Sequence, residues 1–194
     1  MLSHEPKNYA LLHYDGTLIL KGVAFRSSRA EPFGQAFLRR AIAALLVDDL
    51  LEVRRAWVET VLGLQRREIS THDVSSRVRL TKSTERYATL REQRREAMYE
   101  ALLSAGRNHW RVGDRVRVYR ARGGWTLLPE DNDPRDYDIE HYIRALRTNY
   151  ASRLIRALTL DDSASLFADP DQPSLFEPDF TTLRPRLTRL LVEV

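Results

Sequence analysis

The chain of 194 residues has no cysteine and five histidines, at positions 4, 13, 72, 109 and 141. Disulfides, thiolate metal sites and cysteine nucleophiles are therefore excluded. No two histidines fall at the i, i+4 spacing that would set a pair of zinc ligands on one helix face. Carboxylates offer the remaining route to catalysis. Asp138-Ile139-Glu140 has the Asp-x-Glu spacing with which some nucleases hold two metal ions about 3.5–4 Å apart. Such a site needs further carboxylates from separate motifs and a strand beneath the pair, whereas this triplet opens a stretch patterned as a helix. Asp48-Asp49 reads as a helix junction and Asp161-Asp162 as a solvated loop. Neither a glycine-rich phosphate loop nor a nucleophile elbow occurs. No catalytic or metal-ligating residue is assigned, and no cofactor is expected in this chain.

Arginine is what the chain holds in excess. Of its 31 basic residues only Lys7, Lys21 and Lys82 are lysines. Residues 1–128 carry 23 Lys/Arg against 14 Asp/Glu, and residues 129–194 carry 8 against 13, so the basic character sits in the first two-thirds. A planar, multidentate guanidinium suits phosphate oxygens. A genome composition favouring arginine codons accounts for the same excess, so the charge becomes informative only once it is placed on elements.

At 43% hydrophobic residues the chain can bury a core. No apolar run reaches the roughly 18 residues of a membrane span, and no signal-peptide core opens the chain, so no membrane partner and an intracellular location are expected. Tyr9–Tyr14 and Thr17–Ala24 flank Asp15-Gly16, a dipeptide favouring a type I′ turn, and predict a β-hairpin. Residues Phe33–Val47 and Leu50–Leu64 carry apolar positions at helical spacing. Val78–Leu80 reads as a short strand. Ser83 or Thr84 caps a strongly basic helix from Glu85 to about Ser104, ended by Gly106. Val112–Tyr119 and Trp125–Leu128, joined through Gly123-Gly124, form a second hairpin, and Tyr137–Leu158 a final helix. From Thr159 to Pro178 the chain is rich in Asp, Ser and Pro and reads as a flexible tail, with a short element over Leu183–Val192. The class is α+β, mainly helical: an N-terminal β-hairpin over residues 1–30, a helical domain with a small β element over 31–158, and a flexible tail over 159–194.

Several segments, in this order, resemble the C-terminal end of family B DNA polymerases. Lys7-Asn8-Tyr9, then Lys21-Gly22 beyond the Asp-Gly hairpin, is similar to the motif that ends the polymerase palm and faces the primer duplex. Thr81-Lys82, with Tyr87 five residues past Lys82, is similar to a thumb pattern, with Ser83 where the family often has proline. Gly113-Asp114-Arg115-Val116 resembles a later thumb strand, and Tyr137-Asp138-Ile139-Glu140-His141-Tyr142-Ile143 the start of the last thumb helix. Together these span roughly residues 7–158. In the tail, Gln172-Pro173-Ser174-Leu175-Phe176 resembles the bacterial sliding-clamp peptide with which bacterial DNA polymerase II ends.

The resemblance implies a thumb-like domain that grips duplex DNA in replication or repair, cytoplasmic and nucleoid-associated. The phosphate-facing candidates are Lys7, Tyr9, Arg79, Lys82, Arg91, Arg94 and Arg95. Tyr87 and Tyr142 are expected to be core residues. Gln172, Leu175 and Phe176 are the candidate clamp anchors. Neither palm motif that supplies the metal-binding aspartates of such a polymerase occurs. Magnesium-dependent transfer would then need a palm and exonuclease portion supplied elsewhere, and the chain alone is catalytically incomplete. The alternative is a stand-alone adaptor that docks on a sliding clamp or another replication partner.

Overall fold

The computed structural model describes residues 2–5, 7–23, 25, 30–171 and 179–187. The architecture is α+β and mainly helical, with two separate three-stranded antiparallel sheets among the described residues.

The first sheet is a meander of β1 (Leu2–Glu5), β2 (Asn8–Leu12) and β3 (Leu18–Lys21). The expected hairpin is present as β2–β3, while β1 is a strand the sequence patterning does not indicate. The turn differs from the type I′ expectation. His13 N–H donates to the Thr17 carbonyl and Gly16 N–H to the His13 carbonyl, both at 3.0 Å. Only Gly16, at φ 84°, is left-handed, and type I′ requires positive φ at both central residues. The connection is therefore a three-residue loop, a type I turn closed by a left-handed glycine. Asp15 tightens it by accepting the Thr17 N–H at 2.8 Å.

Helices α1 (Pro32–Leu46) and α2 (Leu50–Gln65) match the two periodic stretches. Pro32 starts α1 at a position where its missing N–H costs nothing. Phe33, Phe37, Leu38, Ala41, Ile42 and Leu45 form its buried stripe. Asp49 caps α2 by accepting Glu52 N–H at 2.9 Å, after Asp48 has turned the chain at φ 62°. The Asp48-Asp49 junction is thus a helix connection, as its spacing indicates. One-turn α3 (Thr71–Val74) follows.

The second sheet joins β4 (Ser76–Arg79), β5 (Arg115–Ala121) and β6 (Gly124–Leu127) in that order, with α4 (Thr84–Arg91) and α5 (Ala97–Ser104) inserted between its first two strands. The single helix expected from Glu85 to Ser104 is broken at residues 92–96. Unbroken, it would line Arg91 and Arg94 up beneath Tyr87 and Met98, every three or four residues along the stripe that must be buried. The break lets Tyr87 stack on Tyr99, centroids 4.6 Å apart, while the arginines stay in water. Ser83 is the cap of α4, accepting Arg86 N–H at 3.3 Å. Gly106 closes α5 as expected: its N–H bonds to Leu103 and that of Arg107 to Leu102, each at 2.9 Å.

The last expected helix is also segmented. After α6 (Ile139–Ala145) the chain widens into a π turn over Leu146–Tyr150 and then tightens into 3₁₀ turns at Ala151–Arg153 and Ile155–Ala157. Tyr142, Leu146 and Tyr150 all point inward. The Tyr150 ring packs against Gly34, where any Cβ would overlap it. Its hydroxyl accepts Glu31 N–H at 3.1 Å and donates to the Glu31 carboxylate at 2.5 Å, so it caps α1 from 119 residues away.

Residues 159–171 differ from the flexible tail expected from Thr159 to Pro178, of which 172–178 lie outside the described set. Thr159 caps α7 (Leu160–Leu166) by accepting Asp162 N–H at 3.1 Å, and Leu166 and Phe167 are buried. Trp57 and Phe167 meet edge to face at 5.4 Å. Arg54 and the Trp57 indole both donate to the Ala168 carbonyl, at 2.6 and 2.9 Å. An Asp/Ser-rich composition hid this helix because its apolar anchors are only two adjacent residues. Asp161-Asp162, read as a solvated loop, forms its first turn, where acidic residues favour the helix dipole. Phe180, Leu183 and Leu187 pack against the same core, while residues 188–192 of the expected terminal element lie outside the described set.

Candidate nucleic-acid interface

Two cores divide the candidate residues between them. The larger core gathers the first sheet, α1, α2 and residues 137–167, and so runs across both expected domain boundaries. The smaller, built on β4–β6, α4 and α5, consists of Leu80, Tyr87, Tyr99, Leu102, Trp110, Val116 and Val118.

Lys7 and Tyr9 belong to the first sheet. Lys7 is exposed in the β1–β2 turn at φ 71°, and Tyr9, 37% exposed, pairs in register with Lys21. Gly22, at φ 90°, packs so closely on Asn8 and the Lys7 carbonyl that a side chain would overlap both. The two halves of the palm-like motif, Lys7-Asn8-Tyr9 and Lys21-Gly22, are therefore adjacent. Ala10 and Leu20 tie this edge to the larger core.

Arg79, Lys82, Arg91, Arg94 and Arg95 all belong to the smaller unit, whose core fixes the Thr81-Lys82 backbone. The Tyr99 hydroxyl accepts both Thr81 and Lys82 N–H, at 3.1 and 3.0 Å, and the Trp110 indole donates to the Lys82 carbonyl at 3.0 Å. Lys82 Nζ pairs with Glu96 and stands 5.5 Å over the Tyr99 ring. Arg91 binds Glu100 with two bonds, at 2.8 and 2.9 Å. Those bonds, with one from Tyr87, hold the Glu100 carboxyl below its ordinary value. Arg79, Arg94 and Arg95 are exposed, and none forms an ion pair among the described residues. Lys82 and Arg91 are thus partly neutralised, whereas the other three keep their charge toward solvent.

Tyr87 and Tyr142 are buried, as expected for core residues. Tyr87 accepts Glu96 N–H at 3.0 Å and donates to Glu100 at 2.7 Å, which sets the start of α5. Tyr142 accepts Arg120 N–H at 2.8 Å. Asp138 opens α6 as the patterning indicates: it caps His141 N–H at 3.1 Å and faces Arg120 at 3.5 Å, so its carboxylate serves the helix start. Among the described residues no three His, Asp or Glu side chains are grouped to hold a metal ion. The palm carboxylates are also missing from the sequence, so the residues present do not fit a polymerase metal centre. Gln172, Leu175 and Phe176 lie outside the described residues.

Sequence reasoning missed a feature beside Arg79. On β4 and β5, Arg77 stands opposite Arg117 and Arg79 opposite Arg115. The alternation Arg77-Val78-Arg79 and Arg115-Val116-Arg117-Val118 carried the signal, since period two sends all four arginines to one face and the valines to the core. A second missed cluster clips the 129–137 loop onto α3. Asp133 accepts the N–H and hydroxyl of Thr71 at 2.8 and 2.5 Å and pairs with Arg135 at 2.7 Å. Burial opposes its ionisation, but these bonds prevail and hold its carboxyl down at about 2. No local pattern announces contacts spanning 62 residues.

No protein-family profile matches the chain. In sequence it is 27% identical over 143 residues to a DNA polymerase of Methanocaldococcus jannaschii, a match covering 71% of this chain and 9% of that protein. In fold it is similar to a solved family B DNA polymerase from the hyperthermophilic archaeon Pyrobaculum calidifontis, with a TM-score of 0.55 at 16% identity, covering 87% of this chain and 21% of that one. The chain therefore resembles DNA polymerases in sequence over most of its length and a family B polymerase in fold, while spanning only a small part of either one.

Proposed function

We propose that the chain holds primer-template duplex DNA as the thumb portion of a family B DNA polymerase. The observation that carries this reading is the smaller unit, which presents exposed Arg79, Arg94 and Arg95 around a Thr81-Lys82 backbone immobilised by Tyr99 and Trp110. Guanidinium groups that form no ion pair among the described residues can neutralise backbone phosphates without reading bases, which is what a polymerase moving along any template requires. The ordered motifs support the same reading, and both likenesses support its coarser part, a relation to DNA polymerases. Arg91 would exchange Glu100 for phosphate at low cost, because an exposed pair contributes little net stability, while the half-buried Lys82 would have to leave Glu96 to do the same. Lys7 and Tyr9 would face the same duplex from the palm edge. Phosphoryl transfer is left to palm carboxylates that this sequence does not contain, and magnesium belongs with them.

The test is fluorescence anisotropy with a labelled primer-template duplex, titrated between low and moderate salt. Affinity should fall steeply, by about 0.9 in log-log slope per phosphate contacted. Binding that is insensitive to salt would refute a phosphate grip.

A further inference from the structure

We infer that the outer face of the β4–β5 ribbon is a second phosphate-binding surface, contacting the polynucleotide backbone alongside the residues already named; the inference rests on the duplex-holding reading. Arg77 opposes Arg117 and Arg79 opposes Arg115 in one antiparallel register, with Val78 and Val116 turned the other way into the smaller core. Like charges directly opposite each other destabilise a strand pair, and here two such pairs stand in succession. Among the described residues no acidic side chain forms an ion pair with any of the four, and Arg117 is satisfied only by Ser75 Oγ at 3.0 Å. The fold has thus built a concentrated positive ladder with no ion pair of its own among the described residues.

The dimensions of the ladder suit a nucleic-acid strand. Two-residue steps along β4 and β5 are roughly 7 Å, and the cross-strand separation is about 5 Å. A duplex presents a phosphate every roughly 3.4 Å of rise along each strand, so neighbouring phosphates fall within reach of neighbouring forks. An acidic protein partner would need apolar anchors at the centre of its contact, and the outward positions at these registers are arginine alone. The ladder is also continuous with the candidate interface. Arg79 shares a cleft of about 310 Å³ with Thr81 and Val112, and Thr81 adjoins Lys82. On the β5 side Arg115 and Arg117 line a groove of about 570 Å³ with Arg107, and Glu130 and Asp133 line that groove too. Those carboxylates repel phosphate, so Arg77 and Arg79, which do not line that groove, meet the backbone most directly, with Arg115 across the strands from Arg79.

The experiment compares the full chain with Arg77→Gln/Arg79→Gln/Arg115→Gln and with a control of equal charge loss on the larger unit, Arg39→Gln/Arg66→Gln/Arg144→Gln. Each is titrated with salt against one labelled duplex of roughly 20 base pairs, long enough to exceed the ladder several times over. The ladder variant should lose about 2–3 units of log-log slope, and the control less than one. Thermal melting without DNA should leave the ladder variant as stable as the parent or more so, because repulsion is relieved. Should it melt lower, Arg79→Gln alone carries the test with an expected slope loss of about 0.9. Equal slopes for parent and ladder variant, with the parent binding DNA, overturn the ladder, remove Arg79 from the duplex-holding set and leave that reading to Arg94, Arg95 and Lys82. Equal losses in ladder and control overturn it too, as does poly-L-glutamate that competes as well as duplex at equal charge. A parent chain that binds no duplex overturns both.

Discussion

The two units use arginine in opposite ways. In the larger one, several arginines are structural: Arg54 donates to the carbonyls of Leu166 and Ala168, Arg67 to those of Arg135 and Tyr137, and Arg147 pairs with Asp169 at 2.8 Å, while Arg39, Arg66 and Arg144 are exposed on its surface. In the smaller, Arg77, Arg79, Arg94, Arg95 and Arg115 form no ion pair among the described residues. The larger core draws its aromatic cluster from distant parts of the chain, joining Phe37 and Trp57 to Phe167. The smaller core is compact, and its exterior is left for charge. Counting arginines therefore says little about function until each is sorted by whether the fold already satisfies it.

This contrast can be broken in stages. The largest effect is expected for Trp57→Ala, which removes the ring that joins α1, α2 and α7. Stability should drop by about 3–5 kcal/mol in denaturant unfolding, and a loss under about 1 kcal/mol would mean that the aromatic cluster does not organise the larger unit. Tyr87→Phe leaves Glu96 N–H without its hydroxyl acceptor and Glu100 with only its two Arg91 bonds, at a cost of about 1–3 kcal/mol. Hydrogen exchange should quicken in α4 and α5 and stay unchanged in α1 and α2; uniform quickening would show that the units do not open separately. Ser83→Ala deletes the α4 cap and should cost about 1 kcal/mol, read by the same exchange experiment at Glu85–Tyr87.

The smallest expected effect is that of acid. Asp133 is a stronger acid folded than unfolded, so its contribution is complete above the ordinary value of 3.8 and is lost as pH falls toward about 2. Burial, then Arg120, lowers the His141 pKa below 6.5, so the folded state favours the neutral ring and stability begins to decline as pH drops below that value. Melting temperature against pH should therefore decline on the acid side, and Asp133→Asn should flatten the lowest part of that decline. An unchanged slope in the variant would contradict the clip.

Much of the helical fold is legible in the sequence because its causes are local. The stripes of α1 and α2, the caps at Ser83 and Asp138 and the stop at Gly106 follow from spacing and side-chain chemistry within a few residues. What escaped depends on distance. Tyr150 capping α1, Asp133 holding Thr71 and Ala168 receiving Trp57 are set by folding, and no window of sequence contains both partners. The break between α4 and α5 lies between these cases: helical propensity favours continuation, and only the need to bury Tyr87 without Arg91 and Arg94 forbids it. Arg79 was recognisable as a candidate and alternation sets Arg77 on its face, but that Arg115 and Arg117 stand opposite them emerges only when the two strands are paired.

The most direct test is to follow the arginine Nε–H signals by nuclear magnetic resonance while duplex DNA is added. The account predicts shifts at Arg79, Arg94 and Arg95, of similar pattern for two unrelated duplex sequences, with Arg54 and Arg147 of the larger unit unmoved. Shifts confined to the larger unit, or present for only one duplex sequence, would contradict a sequence-blind grip by the smaller unit.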